Sequence, residues 1–252
     1  MSEDMKREVR RRYGQLARAA SSAGSPCADS CCSGTACCEE TLEGLPPEMV
    51  QTSLGSGSPV DAAGLQPGHV VLDLGSGAGL DVLLAARRVG ETGKVYGLDM
   101  TEEMLALAER HRQKSGADNV QFIRGEMEEI PLPDGSVDAV LSNCVVNLSP
   151  DKERVFAECH RVLRAGGKLA ISDVVWRDEV PPGVRSDADL WCSCVGGALT
   201  ERDYVDLLTR AGFTGVKLQR TGAWQANGGC CGAPSAGSGK LNSALVTARK
   251  PS

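Results

Sequence analysis

Cysteine is the residue type that most sets this chain apart, because 11 of its 252 residues are cysteine. Five fall in one short run and two are adjacent near the other end of the chain: Cys27, Cys31, Cys32, Cys37, Cys38, Cys230 and Cys231. The other four lie inside patterned sequence: Cys144, Cys159, Cys192 and Cys194. The opening residues are charged and lack the apolar run of a secretory signal, so we expect reduced thiols rather than disulfides.

A second chemical feature is the glycine-rich turn Gly75-Ser76-Gly77-Ala78-Gly79, which follows a short apolar run. Glycines let the backbone turn tightly and approach a ligand closely. The G-x-G-x-G spacing differs from the dinucleotide turn G-x-G-x-x-G. Asp73 precedes the turn, where its carboxylate suits a cationic amino-acid cofactor better than a pyrophosphate. The alternative for Asp73 is a strand-end carboxylate that only caps the turn.

Further polar positions follow the next two predicted strands. Asp99 ends the second strand, where an acidic side chain accepts hydrogen bonds from ribose hydroxyls. Gly125, Glu126 and Met127 follow the third strand and offer a polar end to an adenine ring. Together with the turn, these positions predict a nucleoside-type cofactor site.

Two cysteines are placed for a role at the acceptor end of such a site. Cys144 follows a predicted strand, and ligands of open parallel sheets bind outside the carboxyl ends of the strands. Cys194 lies in a second thiol-bearing element, residues 190–199. A lone cysteine is ordinarily a small hydrophobe, and we interpret Cys159 and Cys192 in that way.

The elements that must position these residues alternate along the chain. Apolar runs bounded by glycines predict strands, and apolar residues at helical spacing predict helices. We expect strands at 69–74, 94–98, 119–123, 137–141, 168–172, 215–219 and 242–248. We expect helices at 4–20, 80–89, 104–111, 152–163 and 201–211, and an irregular lead-in over 41–68. This order predicts an α/β fold, a doubly wound, mostly parallel seven-stranded sheet with a small C-terminal thiol-bearing region.

We divide the chain into an N-terminal helix and cysteine-rich segment (1–64), a cofactor-binding domain (65–175) and an acceptor-binding and C-terminal region (176–252). The formal net charge is -6, with 27 Lys and Arg against 33 Asp and Glu, which argues against a nucleic-acid binder. Aromatic residues are only 4%, so stacking on bases is also disfavoured. No apolar stretch is long enough to span a membrane. We therefore expect a cytoplasmic protein, and a monomer.

The cofactor half, residues 65 to 175, resembles the seven-stranded S-adenosylmethionine-dependent methyltransferases, which have a Rossmann-like sheet. The resemblance implies that Asp73 and Gly75 hold the methionine moiety and that Asp99 holds the ribose. It also implies that Met100 and the Glu126–Met127 turn border the adenine. The remaining residues of the turn complete the expected cofactor site: Ser76, Gly77 and Gly79.

The acceptor half resembles one family more closely. The stretch S-N-C-V-x-N-L-x-P-D-K, followed by W-x-x-C-V-G-G-A-L, is similar to the arsenite methyltransferases, over residues 72 to 213. The resemblance implies that Cys144 and Cys194 bind trivalent arsenic, arsenite or methylarsenite, for detoxification. It also implies glutathione or thioredoxin as the thiol reductant. The pair Cys230-Cys231 looks like the family's tail pair, and Tyr13-Gly14 fits its opening helix.

One position departs from the family pattern. Members commonly carry a further cysteine in a G-C-G-N-P element, and the matching residues here are Gly55-Ser56-Gly57-Ser58-Pro59. Ser56 therefore stands where a third thiol would be, and a hydroxyl is a poor ligand for a soft metalloid. A thiol of the 27–38 cluster, an exogenous thiol, or a carbon already on the arsenic could take its place. We favour the last of these, two-thiolate loading with ready acceptance of organoarsenicals.

Alternatives stay open for the other thiols and for the function. The cluster over 27–38 could bind structural zinc, capture or deliver a metalloid, or be a disordered thiol-rich segment. The auxiliary thiols we consider for arsenic are Cys31, Cys32, Cys230 and Cys231. Cys230 and Cys231 are otherwise an inert tail. As a whole, the chain could instead methylate a small organic acceptor such as a quinone, or act as a metalloid sensor or buffer with a vestigial methyltransferase domain.

Overall fold

The structure is a computed structural model that describes residues 2–22, 45, 57–224 and 240–252. Its strands are β1 Val70–Leu74, β2 Lys94–Asp99, β3 Val120–Arg124, β4 Val137–Asn143, β5 Leu163–Trp176, β6 Thr214–Ala223 and β7 Leu241–Arg249. Its helices are α1 Ser2–Ser22, α2 Pro59–Ala63, α3 Leu80–Val89, α4 Glu102–Ser115, α5 Lys152–Val162, α6 Ala188–Cys192 and α7 Glu201–Arg210. Two short 3-10 turns span Val146–Leu148 and Val184–Ser186.

All seven strands form one sheet in the order β3-β2-β1-β4-β5-β7-β6. The first five strands are parallel, and β7 runs antiparallel to β5 and to β6. The predicted α/β class and its mostly parallel seven-stranded sheet are therefore confirmed. Two of the strands come from the region that we assigned to the C-terminal part, since β6 and β7 complete the same sheet.

The sheet is covered on both faces because its strands are apolar on both sides. In β1, Leu72 and Leu74 pack with helices α5 and α7, whereas Val71 packs with α2 and α3 on the opposite face. This alternation follows from the two-residue period of a strand. Burial on both faces explains why the strands appear in the sequence as short apolar runs.

A third apolar cluster lies at the carboxyl edge of the parallel strands, and we call it the thiol-edge cluster. It joins α1, the end of β5 and the region around α6. Its buried members include Val9, Cys144, Trp176, Leu190, Cys192 and Cys194. The apolar packing of the fold therefore extends to the edge at which we predicted the acceptor site.

Most predicted elements are close to those observed, but the short helices α2 and α6 were not predicted, and β5 and β6 are several residues longer than expected. Helix α3 has the predicted bounds, whereas α2 lies inside the segment that we expected to be irregular. Pro59 occupies the first turn of α2, where a missing N–H is tolerated, and Gly64 ends the helix with a left-handed φ of 58°. The buried side chains of Val60 and Ala63 hold α2 against the sheet. Among the described residues, no helix combines the length and apolar character needed to cross a bilayer.

Candidate active site

The site is built where the parallel strands end. Asp73 lies near the end of β1, Asp99 ends β2, and Asn143 ends β4. Because the carboxyl ends of parallel strands meet at one edge, these polar side chains gather there. Asn143 donates hydrogen bonds to the Asp81 carboxylate at 2.9 Å and to the Gly57 carbonyl at 2.8 Å, which joins β4 to α3 and to the segment before α2.

Glycine is required in the turn between β1 and α3. Gly75 has a φ of 59°, and a Cβ there would lie 2.3 Å from Cγ1 of Val145. Gly77 has a φ of 49°, and a Cβ there would meet nothing within 4 Å. Gly79 has a φ of 89° and is the N-cap residue that precedes helix α3. The turn is therefore tight on one side and, at Gly77, leaves space beside the backbone for a ligand.

Asp73 is only 2% exposed, and its Oδ1 makes no hydrogen bond with any described residue. Burial raises the pKa of this carboxyl well above its usual range, and the nearby charges of Asp81 and Asp99 raise it further. A buried carboxylate oxygen without a partner is costly unless a ligand satisfies it. The Oγ of Ser76 is also buried and lacks a partner within the described chain. These residues fit the cationic amino-acid end of S-adenosylmethionine.

Asp99 and its neighbours form the other half of this site. We call Asp73, Asp99 and the turn Gly75–Gly79 the cofactor cradle. Its carboxylate accepts hydrogen bonds from the backbone N–H of Gly77 at 2.9 Å and of Thr101 at 2.8 Å. Burial raises the pKa of Asp99, and these hydrogen bonds oppose the shift. Met100 packs against the thiol-edge cluster. Met127 packs against the cluster that joins Leu72 and Leu74 to helices α5 and α7, which we call the main core. The cradle is thus closed by backbone and apolar side chains together.

Glu126, which we predicted to border the adenine, forms ion pairs with helix α1. Its carboxylate accepts hydrogen bonds from Lys6 at 2.8 Å and from Arg10 at 2.9 Å, both on helix α1. These cations lower the pKa of Glu126. Helix α1 also reaches the opposite end of the site, where the Tyr13 hydroxyl donates to the Cys192 carbonyl at 3.3 Å. Helix α1 therefore bridges the end of β3 and helix α6.

The two predicted acceptor cysteines meet at this edge. Cys144 follows β4 with a φ of 57°, and Cys194 follows α6 with a φ of 65°. They are the only residues other than glycine with a positive φ in the described part of the chain. Both are nearly buried, at 9% and 6% exposed. The Sγ of Cys194 lies 2.8 Å from the carbonyl oxygen of Cys144.

Close packing brings together the two segments that carry these thiols. We call residues 144–151 the Cys144 loop and residues 193–199 the Cys194 loop. A Cβ on Gly197 would lie 1.9 Å from the carbonyl oxygen of Asn147, so only glycine fits there. The Trp191 indole N–H donates to the carbonyl of Leu148 at 3.1 Å. These contacts keep α6 and the Cys194 loop against the Cys144 loop.

A buried polar network connects the Cys144 loop to the end of β5 and to the start of α5. The amide of Asn147 donates to Asp173 Oδ1 and to the Val174 carbonyl, both at 2.7 Å. Burial raises the pKa of Asp173 to about 7. The Lys152 ammonium donates to the Ser149 carbonyl at 2.7 Å, and burial lowers its pKa to about 8. Sequence reasoning missed these three residues, although Asn147 and Lys152 lie inside the motif that carries Cys144.

The remaining cysteines of the described chain are buried. Cys159 lies in the main core on α5, where burial strongly raises the pKa of its thiol. Cys192 belongs to the thiol-edge cluster, and burial raises its pKa as well. Across the described ranges, no three His, Cys, Asp or Glu side chains are arranged to hold a metal ion.

Several predicted site residues lie outside the residues that the structure describes: Cys27, Cys31, Cys32, Cys37, Cys38, Ser56, Cys230 and Cys231. The described residues next to two of these segments are at the site edge. Gly57 accepts the hydrogen bond from Asn143, next to Cys144. Trp224 packs against the thiol-edge cluster, and its backbone N–H donates to the carbonyl of Leu241 at 3.1 Å.

The chain is similar to known methyltransferases in sequence and in fold. A family model described as a methyltransferase domain matches residues 65–212. The crystal structure of an arsenic(III) S-adenosylmethionine methyltransferase from Chlamydomonas reinhardtii superposes with a TM-score of 0.69 at 37% identity, and the match covers 84% of this chain and 72% of that one.

Curated relatives point the same way. The arsenite methyltransferase of Halobacterium salinarum is 50% identical over 165 residues, which are 66% of this chain and 42% of the relative. The arsenite methyltransferase of Homo sapiens is 36% identical over 229 residues, which are 85% of this chain and 60% of the relative. The chain thus spans about half the length of these relatives. With this methyltransferase domain and these relatives, the chain belongs to the arsenite methyltransferase family.

Proposed function

We propose that this chain transfers methyl groups from S-adenosylmethionine to trivalent arsenic held by Cys144 and Cys194, for arsenic detoxification. The observation that carries the proposal is the meeting of these two cysteines beside the cofactor cradle. Their backbones adopt a conformation that costs a cysteine energy, and such strain persists mainly where it serves a function. Trivalent arsenic is a soft centre that prefers thiolate ligands.

The residues of the cradle suit the proposed cofactor. Asp73 would hold the ammonium of the methionine moiety, and Asp99 would hold the ribose. S-adenosylmethionine, when bound, supplies a methyl group activated by the positive charge of its sulfonium. Burial raises the pKa of Asp73, Asp81 and Asp99, and the negative charges of Asp81 and Asp99 raise that of Asp73 further. A ligand with positive charge would relieve this repulsion and is therefore favoured.

The two thiols would orient the acceptor. Thiolates that replace hydroxyls on trivalent arsenic form a pyramid and leave the lone pair on one side. An arsenic so held needs no strong general base, and positioning of the two reactants can contribute about 7–11 kcal/mol. Each As–S bond that forms replaces an As–O bond, and the thiol proton leaves with the displaced hydroxyl as water, so loading of the arsenic on two thiols involves no net release of protons.

The arsenic substrate follows from the number of available thiols. Ser56 replaces the cysteine that completes the family's set of three, so two protein sulfurs remain among the family positions. An arsenical that already carries one carbon needs only two sulfurs. We therefore propose that methylarsenite and other organoarsenicals are accepted readily, whereas arsenite requires an added thiol.

The proposal includes a reductant. Arsenic that gains a carbon through its lone pair becomes formally pentavalent, and two electrons from thiols return it to the trivalent state. Glutathione or thioredoxin would supply these electrons and keep the protein thiols reduced. A reducing compartment such as the cytoplasm suits this chemistry, and we propose that the chain acts there as a monomer.

The test is incubation of the purified protein with methyl-labelled cofactor and arsenite, methylarsenite or a quinone, with arsenic products separated by speciation. The proposal expects labelled methylarsenicals and a higher initial rate on methylarsenite when no small thiol is added. Label transferred to a quinone but not to arsenic would indicate an organic acceptor. Binding of arsenic with no labelled product would indicate a sensor or buffer.

A further inference from the structure

Lys152 is a buried cation of the acceptor site that takes no part in the methyl transfer itself. Lys152 is only 8% exposed, and its ammonium donates to the carbonyl oxygens of Ser149 at 2.7 Å and Asn147 at 3.4 Å. Burying an ammonium is expensive unless its surroundings compensate for the lost water. The surroundings of Lys152 must therefore compensate for the loss of water around its ammonium.

The contacts of Lys152 join the two thiol-bearing segments. Its carbonyl partners belong to the Cys144 loop. Its Nζ also lies 5.3 Å from the ring centroid of Trp191, within the range of a cation–π interaction. Trp191 is on α6, three residues before Cys194, so one ammonium contacts both elements.

Charged groups of both signs face Lys152. Burial lowers the pKa of its ammonium and the guanidinium of Arg185 lowers it further, whereas the carboxyls of Asp173 and Glu128 and the side chain of Cys194 oppose that shift. The contacts of the ammonium with the Cys144 loop and with Trp191 therefore link the two segments that carry the thiols.

We propose that Lys152 is a positioning residue for the arsenic acceptor, which holds the Cys144 loop and α6 at the spacing where Cys144 and Cys194 share one arsenic. This inference rests on the proposed function. It assigns Lys152 no contact with the cofactor, and its effect is therefore confined to the affinity for the arsenical. Residues that orient metal ligands typically change affinity about 10–100-fold when they are mutated.

The test uses the full chain with serine at the seven cysteines outside the described residues, so that binding reports on Cys144 and Cys194. Phenylarsenite, which exchanges two hydroxyls for thiols, is titrated into this parent and into Lys152→Met, Lys152→Gln and Lys152→Arg. Lys94→Met is the matched control, because Lys94 also lies over an aromatic ring, at 4.5 Å from the Tyr96 centroid, but begins β2 at the opposite edge of the sheet.

We expect Lys152→Met to raise the Kd for phenylarsenite and the KM for methylarsenite at least about tenfold. The kcat and the Kd for S-adenosylhomocysteine should stay at the parent values. Lys152→Gln keeps a donor for the Ser149 carbonyl and should lie between parent and Met, whereas Lys152→Arg keeps the charge and should recover most of the affinity. Lys94→Met should match the parent.

Two results would overturn the inference. The first is an unchanged Kd for phenylarsenite in Lys152→Met. The second is a parallel loss of affinity for S-adenosylhomocysteine, which would indicate a general effect on the fold. A parent that fails to bind phenylarsenite at Cys144 and Cys194 would instead contradict the proposed function itself, so the two failures are distinguishable.

Discussion

The thiol of Cys194 donates a hydrogen bond to the backbone carbonyl of Cys144 at 2.8 Å, although fifty positions separate the two residues in the chain. This contact relates two loops of different origin, one after a central strand and one after a short helix. Both cysteines adopt left-handed backbone, with φ of 57° and 65°. The contact gives the acceptor hypothesis a definite geometry that mutations can test.

Replacing either acceptor thiol should abolish arsenic methylation without affecting the cofactor site. Cys144→Ser and Cys194→Ser each remove one soft ligand, and we expect loss of methylated products with an unchanged Kd for S-adenosylhomocysteine. Cys159→Ala is the matched control, because Cys159 is buried in the main core, away from the edge. Turnover by either serine variant at the parent rate would remove our assignment of the acceptor site.

The left-handed backbone predicts an unusual order of stabilities. At Cys144 a side chain costs about 1–2 kcal/mol relative to glycine, so Cys144→Gly should be more stable than Cys144→Ala by about 1 kcal/mol. At Cys159, inside helix α5, the order should reverse by about the same amount. Chemical denaturation of the four variants measures both differences. Equal signs at the two positions would contradict the prediction.

Gly197→Ala should separate the two thiols. The added methyl would lie 1.9 Å from the Asn147 carbonyl oxygen, so the Cys194 loop must move away from the Cys144 loop. We expect a destabilisation of about 1–3 kcal/mol and loss of phenylarsenite binding. Gly222→Ala is the control, because a Cβ there meets nothing within 4 Å. Retained phenylarsenite affinity in Gly197→Ala would show that this contact does not set the thiol spacing.

Cofactor binding should weaken as the pH falls, and should do so at a higher pH than an ordinary aspartate would predict. The pKa of Asp73 is raised by burial and by Asp81 and Asp99, and only the ionised carboxylate pairs with a cationic ammonium. Below the raised pKa, affinity for S-adenosylhomocysteine should fall by up to about tenfold per pH unit. Calorimetric titration across this range provides the measurement.

A variant of Asp81 tests the cause of that shift. Asp81→Asn removes one neighbouring negative charge and keeps an oxygen for the Asn143 amide, so the loss of affinity should move to lower pH. Asp73→Asn should bind weakly at every pH. An unchanged pH profile in Asp81→Asn would mean that the charge of Asp81 does not contribute to the raised pKa of Asp73.

Restoring the family cysteine should change the preferred substrate. In Ser56→Cys a third thiol becomes available, so we expect the rate on arsenite without added small thiols to rise relative to the rate on methylarsenite. Ser58→Cys, two residues further along, controls for the presence of an additional thiol. If Ser56→Cys leaves the ratio of the two rates unchanged, residue 56 does not determine substrate preference.

Much of the fold was predictable because strong patterns determine it. The apolar run before Gly75 and the helical period of 80–89 gave correct elements, since buried parallel strands and amphipathic helices have distinct periods. Helix α2 was missed because proline and glycine around it suggested a loop, whereas Pro59 is compatible with a first helical turn.

The site was predictable in part. Family motifs identified Cys144 and Cys194, but no local pattern indicates that residues this distant meet. The ion pairs of Glu126 with Lys6 and Arg10 were not predicted, because helix α1 carries several basic residues and the sequence does not indicate which of them face Glu126. Lys152 was overlooked because lysine is ordinarily exposed, and its burial depends on the packing of α6 over the Cys144 loop.

The left-handed backbone at the two cysteines has a consequence for how this protein diverges over time. At both positions, substitution by glycine would relieve backbone strain and stabilise the fold, so folding stability does not favour cysteine there. Any lineage in which the pair persists is therefore under selection for the thiols themselves. A lineage that has relaxed that selection should reveal it first by glycine at positions 144 and 194.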